Sequence, residues 1–189
     1  MKKQIFFGLA IAAAMFVVSC SNSSKHMEDT TAVVADTTSK DSAHADIGAT
    51  KADTTGSGTA DFTKQSDGTV ELKLMLDFPV LANKTVAVHI HDHGDCGDNG
   101  NMTHGHWNPT KEDHGKWGDA HFHSGDIGNI KLDAKGKGEF SMKTNRWTIG
   151  GDSLTNVVNH GIIVHSGTDD YKSQPAGKAG SRIGCGVIM

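Results

Sequence analysis

Thr69-Val70-Glu71-Leu72-Lys73-Leu74-Met75-Leu76 is the stretch that decides the fold. Apolar and polar side chains alternate over much of it, the two-residue period of a strand with one buried face. Asp67-Gly68, directly before it, is a hairpin turn signal, because glycine supplies the positive φ of a tight turn. Working outward, Thr85-Val86-Ala87-Val88-His89-Ile90-His91 reads as a second strand. Ile127 to Leu132, Gly138 to Met142, Gly161 to His165 and Ile183 to Ile188 read as further short ones. Gly, Asp and Asn clusters separate them, no long run has helical periodicity, and no repeat is present. Many short strands with long connections predict an all-β sandwich or barrel. Asp92 to Asp126 and Ser166 to Gly180 lack strand patterning, and loops that long inside a domain are usually functional.

The chain has 189 residues, enough for one domain with an appendage. Apolar residues make up 36% and aromatics 6%, with 23 Gly against 3 Pro, which argues against a large helical core. Eighteen basic residues against 22 acidic ones leave a net charge of −4 with no Lys/Arg block, so no nucleic-acid partner is expected. Lys2 and Lys3 precede an apolar run from Ile5 to Val18. That run is shorter than the ~20 residues of a membrane-spanning helix and has the length of a signal-peptide core. It ends in Val17-Val18-Ser19-Cys20, which resembles a bacterial lipobox. Residues 1–19 are therefore read as a lipoprotein signal peptide. Cys20 becomes the lipid-bearing residue that holds the chain to a membrane of the bacterial cell envelope, on a periplasmic or other extracytoplasmic face. Residues 20–56 are polar and lack aromatics, and are read as a flexible tether; residues 57–189 are read as the folded domain. With Cys20 lipidated, Cys96 and Cys185 remain, and an exported chain would pair them.

Twelve His against a single Tyr raise the question of a metal. His89 and His91 are two apart on a strand, so both side chains leave the same face. His93, His104, His106, His114, His121 and His123 follow, then Asp126, and His165 ends the strand Gly161-Ile162-Ile163-Val164. Neutral imidazole suits zinc and copper, and a carboxylate can complete a zinc tetrahedron. Binding of a metal would also help to order a loop with few core-forming residues.

These residues stand in a familiar order. His89-Ile90-His91, His106-Trp107-Asn108-Pro109, His114, His123-Ser124-Gly125-Asp126-Ile127-Gly128-Asn129, Val164-His165-Ser166-Gly167-Thr168-Asp169-Asp170 and Ala179-Gly180-Ser181-Arg182-Ile183-Gly184-Cys185-Gly186-Val187-Ile188 resemble the copper/zinc superoxide dismutase family over residues 57–189. The resemblance implies a Greek-key β-barrel or sandwich of about eight antiparallel strands with long metal-binding and electrostatic loops. It implies copper held by His89, His91, His106 and His165, and zinc held by His106, His114, His123 and Asp126, with His106 bridging the two. It further implies a Cys96–Cys185 disulfide, Asp169 linking His89 to His114, and Arg182 beside the copper where superoxide anion arrives. Ala87-Val88, His104-Gly105 and Asn159-His160 depart from the usual pattern, and His93, His104, His121 and His160 have no family ligand role. His26 and His44 fall in the expected tether.

The implied activity is dismutation of superoxide to O₂ and H₂O₂ by a Cu(II)/Cu(I) cycle, with His106 and Arg182 as the catalytic residues. A metal-binding envelope lipoprotein of the same fold without turnover is the alternative, and a superoxide assay on metal-loaded protein separates the two. A copper-only variant would lack His114, His123 and Asp126. Whether two copies pair as a homodimer is left open by the sequence.

Overall fold

The computed structural model describes residues 40–189. The expected signal peptide, Cys20, His26 and the first part of the tether lie outside the described residues. Eight strands form one antiparallel sheet: β1 Ser42–Ala49, β2 Ser57–Lys64, β3 Val70–Asp77, β4 Thr85–His91, β5 Gly128–Lys131, β6 Lys137–Thr144, β7 Gly161–His165 and β8 Arg182–Val187. Their order across the sheet is β5-β4-β7-β8-β1-β2-β3-β6. The end strands β5 and β6 are joined by a tight turn in which Asp133 N donates to Lys137 O, so the sheet nearly closes into a barrel. Pairings between strands distant in sequence, β1 with β8, β3 with β6 and β4 with β7, make the connectivity a Greek key.

β3 is built as its alternation predicts: Val70, Leu72, Leu74 and Leu76 are buried while Lys73 and Met75 are exposed. The Asp67 carboxylate accepts from Thr69 N and Oγ1, and Gly68 takes φ +84°, which sets the hairpin between β2 and β3. Phe62, Phe78 and Trp147 fill the core with Leu72, Leu74 and Ile162, and Trp147 Nε1 finds a partner in Ser124 O. β4 and β7 carry the site because they are buried on both faces. Val86, Val88 and Ile90 of β4 and Ile162 and Val164 of β7 enter the barrel core. The alternate residues, His89, His91 and His165, leave by the opposite face, where the long loops cover them. Gly125 holds one loop against β4: its carbonyl accepts from Ile90 N, and a Cβ there would sit 2.1 Å from Ile90 O.

The tether reading fails for residues 42–56. β1 pairs with β2 from Ser42↔Thr63 to Gly48↔Ser57, and with β8 at Gly48↔Cys185 and Ala49↔Gly184. Ala43, Ala45 and Ile47 are buried between exposed Ser42, His44 and Asp46. Two of the three inward residues are alanines, which carry almost no hydrophobic signal, so the period was hidden in a polar composition. What makes the segment a strand is the pair of open edges on β2 and β8, whose backbone groups need a partner. His44 accordingly sits on a strand, 2.7 Å from Asp61 across the hairpin. β2 was masked in the same way, with Ala60 and Phe62 its buried residues.

Candidate metal centre

Six buried imidazole nitrogens make no hydrogen bond: His89 Nδ1, His91 Nε2, His106 Nε2, His114 Nδ1, His123 Nδ1 and His165 Nε2. Leaving one such atom unpaired costs about 1–3 kcal/mol, so six in one region point to an unmet ligand rather than to an ordinary core. They form two groups in which the ligand atoms all lie within 4.8 Å of one another, His89, His91, His106 and His165, and His106, His114, His123 and Asp126. His106 belongs to both, its ring centroid 4.0 Å from that of His89 and 5.3 Å from that of His114.

The opposite nitrogen of nearly every ring is tied down, which fixes tautomer and orientation as metal ligands require. His91 Nδ1 donates to His104 O at 2.8 Å, His165 Nδ1 to Gly180 O at 3.3 Å and His123 Nε2 to Glu112 O at 3.0 Å. His89 Nε2 and His114 Nε2 reach the two oxygens of Asp169 at 2.9 and 3.0 Å. Asp169 is held in turn: its carboxylate accepts from Tyr171 N, and its backbone N–H and C=O are both paired with the Asn129 side chain. Gly177 keeps room for this link, since a Cβ at its φ of +69° would sit 2.1 Å from Asp169 Oδ1.

In the second group Asp126 Oδ1 is 2.7 Å from His106 Nδ1 and 3.3 Å from His123 Nδ1, and Oδ2 is 3.0 Å from His114 Nδ1. The contacts of His114 and His123 lack hydrogen-bond geometry. Donor atoms around tetrahedral zinc, with bonds of ~2.0 Å, stand about 3.3 Å apart, so the set suits that ion. The first group offers imidazole nitrogen alone, which suits copper.

Electrostatics separates the two groups. Burial, reinforced by neighbouring rings, lowers the His106 pKa to about 4 and that of His165 to about 3, and pushes His91 well below its ordinary value. Burial acts the same way on His114, but the carboxylates of Asp126 and Asp169 override it and raise its pKa to about 9. Burial alone would raise the pKa values of Asp126 and Asp169; their histidine partners instead hold both below the usual carboxylate range.

Cys96 and Cys185 form a disulfide between the first long loop and β8. Arg182, at the start of β8, is half-buried, and its guanidinium donates to Gly100 O at 2.6 Å, Thr103 Oγ1 at 2.9 Å and His104 O at 2.5 Å. It therefore shares the His104 carbonyl with His91, a member of the first group. The fold brings together the side chains that the sequence singled out as candidate ligands, but the sequence reading missed the residues that aim them. The carbonyls of His104, Glu112 and Gly180 carry no sequence signal. Gln174 clamps the backbone of His114 through both N–H and C=O from 60 residues away. His93, His104, His121 and His160 stand outside both ligand sets.

A Greek-key barrel carrying two four-residue groups, each able to hold a metal ion and sharing one imidazole, is the architecture of a binuclear metalloprotein class. A family profile described as copper/zinc superoxide dismutase matches residues 56–188, and this chain belongs to that family. It is 38% identical over 110 residues to superoxide dismutase (Cu-Zn) 2 of Aquifex aeolicus, covering 56% of this chain and 64% of that protein. It is 32% identical over 147 residues to the superoxide dismutase (Cu-Zn) of Yarrowia lipolytica, covering 73% of this chain and 92% of that protein. Among solved structures, the clock protein EA4 aligns with a TM-score of 0.70 at 28% identity, over 80% of this chain and 95% of that one.

Proposed function

We propose that this chain dismutates superoxide to O₂ and H₂O₂ at a copper–zinc centre bridged by His106. The observation that carries the reading is the set of six orphaned imidazole nitrogens, divided into an all-nitrogen group and a group with one carboxylate that share a ring. His89, His91, His106 and His165 would hold copper, which when bound supplies a one-electron Cu(II)/Cu(I) couple, and His106, His114, His123 and Asp126 would hold zinc, which has no redox chemistry. His106 Nδ1 faces Asp126 in the second group, which leaves its unpaired Nε2 to the all-imidazole group, where it would take up and hand on a proton during turnover. Asp169 keeps one ligand of each group in register. Arg182 places a fixed positive charge beside the His91 group and draws in the anion. The chain's net charge is −4, but fields from distant surface charges are screened over ~8 Å, so a local cation can outweigh the global sign.

An extracytoplasmic location is supported by the disulfide. Attachment through lipid on Cys20 rests on the sequence of residues 1–20, which mass spectrometry tests, and sedimentation decides between a monomer and a homodimer. The function is tested by anaerobic reconstitution with copper and zinc, followed by metal analysis and a superoxide assay. One copper and one zinc per chain with rapid turnover is expected. The same stoichiometry without turnover would leave the metal-storing lipoprotein.

A further inference from the structure

His93 and His104, which neither ligand group uses, stand against each other. Both are exposed, and their rings meet edge-on at 4.4 Å between centroids. Ring pairs within the buried groups span 4.0 to 6.5 Å, so these two are as close as imidazoles arranged to share an ion. Among the described residues, no side-chain or backbone group hydrogen-bonds to their ring nitrogens. His104 has φ 63° and ψ −140°, a backbone conformation that is nearly glycine-only. Its carbonyl serves His91 and Arg182, but glycine would present the same carbonyl without the strain. The ring is what a glycine there would lack.

We propose that His93 and His104 form an exposed copper-capture site, with water completing the coordination. Imidazole pairs suit Cu(II), the divalent first-row ion that nitrogen sites hold most strongly. Asp92, Asp95 and Asp98 are exposed on the same loop and set their negative charge against that of Arg182, whose guanidinium rests on the His104 carbonyl. Two protein ligands open to solvent allow rapid exchange, unlike the buried groups. The site also adjoins the buried all-imidazole group: His93 is two residues beyond His91, and the His104 carbonyl orients the His91 ring.

The test titrates the full chain, already loaded with copper and zinc, with copper(II) chloride. Bound copper is counted after equilibrium dialysis, and nitrogen ligation is read by electron paramagnetic resonance. His93→Gln and His104→Gly are each expected to bind one copper fewer per chain than the parent and to lose the signal of the two-nitrogen species. His121→Gln, which alters an exposed histidine elsewhere, is expected to match the parent. Because the readout is a difference from the parent, it holds whether or not the buried groups take metal. Equal copper in all four proteins, or a loss in only one of the two variants, overturns the paired site.

Discussion

Asp169 touches one ring from each ligand group, and its removal separates orientation from ligation. Partners of this kind are typically worth 10–100-fold in metal affinity or activity. Asp169→Ala should therefore weaken zinc binding by about that factor without removing a ligand, as competition against a chelator would show; unchanged affinity would mean the loops hold His89 and His114 unaided. His114 gives a second expectation. With its pKa raised to about 9, it is protonated at neutral pH in metal-free protein. That proton stabilises the metal-free fold fully below the ordinary value of 6.5, and the contribution is lost as pH rises through about 9. Zinc must displace it, so zinc binding at pH 7.5 should release about one proton and tighten as pH rises. The dependence of binding heat on buffer ionisation measures this, and no release would contradict the assignment. Arg182→Ala should keep both metals yet lower kcat/KM by about tenfold or more, with a weaker salt dependence, because steering of this size is common for charged substrates. Arg182→Lys retains the charge but not the three hydrogen bonds, so it should restore salt dependence more than the full rate. Unchanged kinetics in the alanine variant would take Arg182 out of the reaction.

At the scale of elements, β1 is where sequence pattern and structure part. Its inward residues are two alanines and Ile47, and its strand state comes from lying between β2 and β8. Ile47 is 2% exposed, so Ile47→Ala should cost about 2–5 kcal/mol in denaturant unfolding, the range for truncating a buried Ile. A tether residue would cost nothing measurable. β3, β4 and β7 were legible because their large apolar side chains alternate with, or adjoin, chemically distinct ones. β4 and β7 are buried on both faces, but their histidines mark the second face, so the two-residue period survived as chemistry.

Across the whole molecule, the disulfide joins residues 89 apart in sequence, tying the first long loop to β8. Closing a loop of that length is worth about 4–5 kcal/mol in the chain-entropy model. Cys96→Ser with Cys185→Ser should lower stability by up to that amount and loosen the loop that carries His104, with calorimetry reading the first and hydrogen exchange the second. A double variant as stable as the parent would show that the metal sites and barrel hold the loop alone. Residue type and order by themselves determined the β class and the cysteine pair and marked the histidines and Asp126 that the fold brings together, with His106 common to both groups, because metal chemistry restricts which side chains can serve and the strand period places them. Only the tertiary structure decided which nitrogen of each imidazole is free, which carbonyl aims it, that β1 exists, and that His93 meets His104. Those outcomes depend on backbone groups and neighbours brought together from distant parts of the chain, and a carbonyl or an open strand edge looks the same in every sequence.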